Sequence, residues 1–598
     1  MFQSFTAPTS PEQGPPRLAA LRKQIKDNGL HGFLVPRADA FQGEYVAPCD
    51  ERLAWLTGFT GSAGFCAVLD KVAGVFIDGR YRLQVLDQVA PDFTPVHWPE
   101  VSLSAWLMDQ GCASQVIGFD PWLHTVKEIA ALREAAPLIE FKPSKNLVDA
   151  IWTDRPARPS AKFFAHPIEF SGKSHEDKIT ELSAVLAKQG QACTVITLPD
   201  AIAWLLNIRG NDIEKNPVPQ SFALLHSNGT AELFAPGGKA DDILGHLGPK
   251  VSVRPMDDFL SAVAALEGPV RIDPKSCPER VLTALTCAGR VVVKAPDLCE
   301  LPKACKNPVE IAGTREAHLR DGAAMVRFLA WLDAEAPKGG VTEIDVVKTL
   351  EGFRRDTNAL RDISFDTIAG TGPNGAVIHY RVTEGTNRTL STGDLIVVDS
   401  GGQYLDGTTD ITRTIAIGAV GADERRCYTR VLQGMIAISR ARFPVGVAGQ
   451  HIDALARFAL WSDGLDFDHG TGHGVGSYLC VHEGPQRISR LSDVPLEAGM
   501  ILSNEPGYYR AGAFGIRIEN LIVVKEAETL VGGDAHRKQL DFETLTYVPL
   551  DRRLIDAGLL SSDEKDWIDG YHAATLQLIG PRVDGEAKHW LERACAPL

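Results

Sequence analysis

Nowhere in its 598 residues does the chain carry a run approaching the roughly 20 consecutive apolar residues of a membrane-spanning helix, which excludes a helical membrane protein. The opening stretch, MFQSFTAPTSPEQGPPR, lacks the basic start, apolar core and small-residue cleavage site of a secretory leader, so a cytoplasmic location is expected. Cysteine is sparse and scattered: the eleven residues, an odd number, include no C-x-x-C pair. That usage fits reduced, mostly buried thiols and excludes a disulfide framework or a zinc ribbon. Positive charge is in deficit, with 61 Lys and Arg against 76 Asp and Glu and a net charge of −15, which argues against a nucleic acid or an anionic membrane as partner.

What remains is the composition of a globular chain, 44% apolar and 23% charged. At roughly 150 to 200 residues per domain, its length implies three or four domains. After a Pro/Ser/Gly-rich tail over residues 1 to 16, helical periodicity starts at Leu18, and the strand-like HGFLVP follows. Alternation of helix and strand then predicts an α/β unit. The same order returns about 150 residues on, where Leu-Ala-Trp-Leu-Thr-Gly-Phe at 53 to 59 is echoed by Ile-Ala-Trp-Leu-Leu-Asn-Ile at 202 to 208. A duplicated domain is the reading, with prolines and charges marking linkers at WTDRPARPSAK (152 to 162) and LCELPKACKNP (298 to 308). The expected domains are 1–155, 156–307 and 308–598.

The last of these reads as helix, helix, strand, strand, twice over. A helix from Val309 and a second begun by the capping-box-like Thr342-x-x-Asp345 precede strand-like ISFDTIA, AVIHYRV and LIVVDS. Two more helices, DERRCYTRVLQGMIAISRARF and HIDALARFALWSDG, precede MILSNEPGYY and IENLIVVK. Gly370-Thr-Gly372-Pro-Asn-Gly375 matches G-x-G-x-x-G, but Pro373 stands between the second and third glycines and a strand rather than a helix is expected to follow. It is read, like the glycine-rich stretch 470 to 476, as turns that allow close backbone approach.

Chemistry concentrates in five places. The apolar run Leu395 to Val398 delivers Asp399, and a Gly/Asp/Thr-rich turn leads to Asp410. His473 lies in HGTGHGVG, Glu505 in LSNEPGYY and Glu519 in GIRIENLIVV. Each acid adjoins an apolar run expected to be buried, and four converging carboxylates would repel one another unless cations compensate. Two divalent ions bring four positive charges against the four negative ones. Oxygen-rich ligation with one imidazole suits Mn2+, Co2+ or Zn2+, and such a pair activates water for hydrolysis.

The ordered set D-x10-D, H-G-x-G-H-G, N-E-P-G and R-I-E-N resembles the pita-bread metallopeptidases, the family of methionine aminopeptidase, prolidase and aminopeptidase P. The resemblance extends over YVAPCDERLAWLTGFTGSAG, IDGRY, AIAWLLNIRGNDI, VIHYR, VDSGGQYLDGTTDITRT, HGTGHGVGSYLCVHEGP, NEPGYY and GIRIEN, and within the family it is to the long, three-domain Xaa-Pro aminopeptidases. It implies an α/β and α+β chain: two duplicated creatinase-like N-terminal domains followed by a C-terminal pita-bread catalytic domain. It makes Asp399 a ligand of one ion, Asp410 and Glu519 bridging ligands, and His473 with Glu505 ligands of the other, with Mn2+ the usual metal. All five positions are filled, unlike those of creatinase, which shares the fold and uses no metal. His379, His469 and His482 are implied around the substrate, His482 beside the proline pocket, with Arg80 reaching over from the first domain and Arg517 supporting the carboxylates. The implied reaction is release of an N-terminal residue from peptides with proline second, through a metal-bridging hydroxide, with Glu505 shuttling a proton. A homodimer built through the leading domains is also implied. Two alternatives stand beside it: a prolidase that cleaves only Xaa-Pro dipeptides, and a non-catalytic pita-bread module that binds a partner protein.

Overall fold

The computed structural model describes residues 2–534 and 536–598. It divides into two compact units, Pro8–Glu300 and Met1–Ala7 with Leu301–Leu598. No described helix is long and apolar enough to cross a membrane.

The leading unit holds two sheets of six strands. The first consists of β1 (Gly32–Pro36), β2 (Phe65–Leu69), β3 (Ala73–Ile77), β4 (Thr94–His97), β5 (Val116–Phe119) and β6 (Glu140–Pro143), in the spatial order β4-β3-β2-β1-β5-β6. The second repeats it with β7 (Cys193–Ile196), β8 (Phe222–His226), β9 (Ala231–Ala235), β10 (Val251–Pro255), β11 (Pro269–Ile272) and β12 (Val291–Lys294), in the order β10-β9-β8-β7-β11-β12. Directions agree as well: the β1–β2, β2–β3, β7–β8 and β8–β9 pairs are antiparallel and the outer pairs are parallel. The echoed tryptophan motifs form equivalent helices, α1 (Arg52–Thr57) and α2 (Pro199–Leu206). Duplication read from seven residues is thus a duplication of topology. Buried Asp39 of the first copy accepts from the Gln220 amide of the second (3.0 Å), and Phe41 stacks on Phe222 with ring centroids 4.8 Å apart.

In the second unit, α3 (Glu300–Ala304) leads into α4 (Pro308–Glu335). Asn307 caps α4 by accepting from the amides of Val309 and Glu310, and Pro308 occupies the first turn, where a missing N–H costs nothing. The expected capping box forms at α5 (Glu343–Arg355), Thr342 and Asp345 bonding reciprocally. Next come β13 (Ile368–Thr371), β14 (Leu395–Ser400) and β15 (Ile411–Ala416), a three-stranded antiparallel sheet in the order β13-β14-β15. Helices α6 (Ala422–Ser439) and α7 (Gly449–Trp461) follow. The second sheet contains β16 (Phe443–Pro444), β17 (Gly472–Gly474), β18 (Glu483–Ile488) and β19 (Ile501–Asn504). A hairpin of β20 (Gly507–Arg510) and β21 (Phe514–Arg517) then precedes β22 (Asn520–Glu526) and β23 (Gln539–Thr544). That sheet runs β16-β23-β22-β19-β17-β18. Alternation along β14 explains its continuous apolar run: Ile396 and Val398 enter one core with Leu329 and Leu350, while Leu395 enters another with Tyr428 and Met435.

Two segments depart from the sequence reading. AVIHYRV, expected as a strand, is not one: Gly372–Ala376 closes into a 3-10 helix headed by Pro373, and a turn follows. Its apolar residues are buried without strand pairing because Glu343 at the start of α5 gathers the segment, accepting from the amides of Thr371 (2.8 Å) and Arg388 (3.0 Å), the Asn374 side chain and the Tyr380 hydroxyl (2.9 Å). The glycines there do serve close approach, since a Cβ on Gly370 would sit 2.9 Å from the Asn374 carbonyl and one on Gly375 2.9 Å from the Gly370 carbonyl oxygen. The N-terminal tail is anchored too: Gln3 is buried and exchanges two hydrogen bonds with the backbone of Thr367.

Candidate metal centre

Strand periodicity aims the acids. Asp399 lies on β14 directly across from Thr412 of β15, and Asp410 stands two residues before Thr412, on the same face. Arg517 and Glu519 repeat the spacing at the end of β21, as do Ser503 and Glu505 beyond β19. His473 enters from β17, hydrogen-bonded in the same sheet.

Oxygen or nitrogen atoms of Asp410, His473 and Glu519 all lie within 4.8 Å of one another, close enough to share an ion. The His473 Nε2 is 3.5 Å from a carboxylate oxygen of Asp410 and 3.5 Å from one of Glu505. Its Nδ1 faces the Gly474 carbonyl at 3.0 Å, which can only accept, so the proton sits on Nδ1 and Nε2 presents its lone pair to the cluster. Ser503 accepts from the His473 amide (2.9 Å) and donates to Glu505 (3.1 Å).

The electrostatics are those of an over-anionic site. Burial, reinforced by the neighbouring carboxylates, pushes Asp410 and Glu519 well above the usual carboxylate range, and burial also raises Glu505. Asp399 is ion-paired to the buried Arg517 at 2.6 Å. Four carboxylates against one guanidinium leave an excess of three negative charges when all are ionised. Oδ1 of Asp399 and Oδ1 of Asp410 are buried without a hydrogen-bond partner, although each is an acceptor that burial makes costly to leave unused. Orphaned oxygens, the tautomer of His473 and the hard donor set all fit divalent cations.

The three other histidines lie on separate, tethered loops of the same unit. His469 donates from Nδ1 to the Gly470 carbonyl, so its Nε2 accepts from the Tyr509 hydroxyl at 2.9 Å. Tyr509 in turn accepts from Arg517 at 2.6 Å, completing a directed chain from the Asp399 partner to His469, and burial raises the phenol so that its proton stays in place. Buried Arg457 of α7 holds this loop by donating to the carbonyls of Phe467 and His469, both at 2.7 Å. The His482 ring meets that of His473 edge to face, centroids 4.3 Å apart. His379 is half-buried between Ile378, whose carbonyl accepts from Arg517 (3.2 Å), and Tyr380, held by Glu343. Arg80 belongs to the leading unit, where it pairs with Asp78 at 2.6 Å.

Sequence reading missed Tyr509, Thr412, Ser503, Glu343 and Arg457. Thr412 donates to Glu519 at 2.7 Å and accepts from Arg517 at 3.3 Å. Period-two spacing from Asp410 and Glu505 was the signal for Thr412 and Ser503. Nothing in the local pattern marks Glu343, whose partners are distant in sequence, and Arg457, with partners from Asp453 to His469, reads as an ordinary helical charge.

Comparison with known proteins covers nearly the whole chain. The sequence model of metallopeptidase family M24 matches residues 312–526, and that of its C-terminal region matches 538–598. Two models of the creatinase/prolidase N-terminal domain match 17–151 and 154–310, one for each copy of the duplicated sheet. The chain is 40% identical over 605 residues to a probable Xaa-Pro aminopeptidase P of Laccaria bicolor, covering 97% of this chain and 93% of that protein. It is 40% identical over 625 residues to one of Coccidioides posadasii, covering 99% and 95%. The crystal structure of an X-prolyl aminopeptidase from Caenorhabditis elegans, described as a cytosolic enzyme with a di-nuclear active site, superposes with a TM-score of 0.92 at 33% identity, over 98% of this chain and 99% of that one. A dipeptidase, PepE of Mycobacterium ulcerans, matches 63% of this chain and 96% of its own with a TM-score of 0.51 and 27% identity.

Proposed function

Because the chain belongs to the Xaa-Pro aminopeptidase P family of the M24 metallopeptidases, we propose that it is a metal-dependent aminopeptidase releasing the N-terminal residue from peptides with proline in second position. The observation that carries this reading is the convergence of buried, under-compensated carboxylates on one imidazole. The proposed domains are 1–155, 156–307 and 308–598.

Two divalent ions held by Asp399, Asp410, His473, Glu505 and Glu519, Mn2+ ahead of Zn2+ or Co2+, would supply a Lewis acid for the scissile carbonyl and water of lowered pKa. The chain's own groups do the rest. Glu505, oriented by the Ser503 hydroxyl, takes a proton from the attacking water and delivers it to the leaving proline nitrogen. One imidazole, His482 or His379, donates to the oxyanion that develops on the scissile carbonyl. His469, fixed by Tyr509, positions the substrate, and Arg517 holds the Asp399 carboxylate in place through their ion pair. Arg80 is proposed to bind substrate on the strength of its IDGRY motif. An Xaa-Pro bond has no N–H to read, so selectivity for proline rests on shape and apolar contact.

A cytoplasmic location is supported by the cytosolic description of the Caenorhabditis elegans enzyme and by buried free thiols such as Cys66, Cys193 and Cys277. Assembly as a homodimer is proposed through an apolar face of the second unit, not through the leading domains as the resemblance implied: Leu455, Phe458 and Trp461 on α7 and Leu491 after β18 are exposed, Phe458 by 70%. Phe458→Asp is expected to yield a monomer in sedimentation.

The test of function is a peptide panel with and without chelator. Cleavage of Xaa-Pro-Xaa peptides that chelator abolishes and Mn2+ restores is the expected result. Cleavage of Xaa-Pro dipeptides alone would instead make it a prolidase, and chelator-insensitive cleavage or none would refute the reading.

A further inference from the structure

Outside the carboxylate cluster the catalytic unit buries a second group of charges that no proposed step uses. Glu483, the residue after His482, receives both Lys303 (2.8 Å) and Lys306 on its carboxylate, and the three side chains are 0%, 4% and 1% exposed. Lys306 Nζ also donates to the Lys303 carbonyl at 2.6 Å. Both lysines lie on the segment that follows the leading unit in sequence, on and just after α3. Its backbone is fixed nearby: Cys305 bridges Met500, and the Lys306 amide donates to Gly499 at 3.0 Å. The other end of the triad is the metal site's own scaffold. Glu483 pairs with Gly474 of β17, so closely that a Cβ on Gly474 would lie 2.4 Å from the Glu483 carbonyl, and Gly474 adjoins His473.

Stability does not account for this arrangement. Taking two ammonium groups and one carboxylate out of water costs several kcal/mol per ion, and well-packed apolar replacements of such groups are often as stable or more so. Buried ion sets are well attested as devices that fix register. Here the register is that of the His482 loop against β17, and it determines where the His482 imidazole stands.

We propose that Lys303, Glu483 and Lys306 are positioning residues, which place His482 over the reacting carbonyl by pinning its loop to the joining segment. This rests on the aminopeptidase reading of the site. The test is the charge-free triple variant Lys303→Met/Glu483→Leu/Lys306→Met, made in the wild-type chain and in His482→Ala. We expect it to fold with unchanged or higher Tm and the same bound metal, yet to lose about tenfold to a hundredfold in kcat on an Xaa-Pro-Xaa peptide, the range seen when groups orienting a site are removed. In His482→Ala, where no imidazole is left to place, the same replacement should cost less than about twofold. Full activity of the triple variant, or an equal loss in both backgrounds, would overturn the proposal. A crystal structure of the triple variant reads the same point without activity: the His482 ring is expected about an ångström or more from its present place against His473, and an unmoved ring contradicts the proposal even if the substrate reading fails.

Discussion

Two buried acidic regions of the catalytic unit make an instructive contrast. Asp321 of α4 accepts from Arg354 at 2.8 and 3.0 Å and from the Tyr404 hydroxyl at 2.7 Å. Burial alone would raise it, but Arg354 and Tyr404 outweigh that and hold its carboxyl below the usual range. Asp410 and Glu519 are as deeply buried, and their carboxyls rise. The difference is compensation: one acid meets its own guanidinium, whereas four acids share Arg517. Burial of a carboxylate is therefore neutral as a sign of function, and the missing counter-charge is what identifies a site built for cations.

The contrast breaks most sharply on substitution. Asp410→Ala is expected to abolish metal binding and turnover together, measured by metal analysis and peptide hydrolysis, and activity retained in a folded Asp410→Ala protein would overturn the assignment. Asp321→Asn should do the reverse. It strands a buried guanidinium and is expected to lower stability by about 3 to 5 kcal/mol in urea unfolding while the folded protein keeps its full metal content. Thr412→Val, which removes the donor to Glu519, is expected to weaken metal binding by about tenfold to a hundredfold in a calorimetric titration, with little change in unfolding.

The smallest effect is in pH dependence, and its sign separates the two regions. For the metal-free protein, the folded chain holds protons on Asp410, Glu505 and Glu519 that the unfolded chain has released. Their contribution is thus present below the ordinary carboxylate value of about 4 and is lost as pH rises through the raised folded values. Asp321 contributes oppositely, with stability present above that value and lost as pH falls through its lowered one. Chelator-treated protein should therefore melt a few degrees higher at pH 5 than at pH 8, and saturating Mn2+ should remove the gain. A metal-free protein that melts at the same temperature at both pH values would count against the raised carboxyls.

Much of this was readable beforehand because it is local. The apolar run into Asp399, the capping box at Thr342 and the echoed Ala-Trp-Leu motifs each encode their element within a few residues, and the structure forms all three. AVIHYRV misled because its β-branched and aromatic residues look like a strand, while a carboxylate some thirty residues upstream in the sequence, Glu343, decides its backbone path. For the same reason the Lys303–Glu483–Lys306 set could not be seen: its partners are assembled only by the fold. The five ligand candidates were legible as motifs, but the tautomer of His473 and the directed chain through Tyr509 depend on distances that sequence does not contain.

The most direct test of the central claim is to count ions. Protein stripped with chelator and reloaded with Mn2+ would be weighed by native mass spectrometry alongside hydrolysis of an Xaa-Pro-Xaa peptide. Two ions per chain, appearing in step with activity, are predicted. Full hydrolysis by a chain that carries no ion would contradict the account.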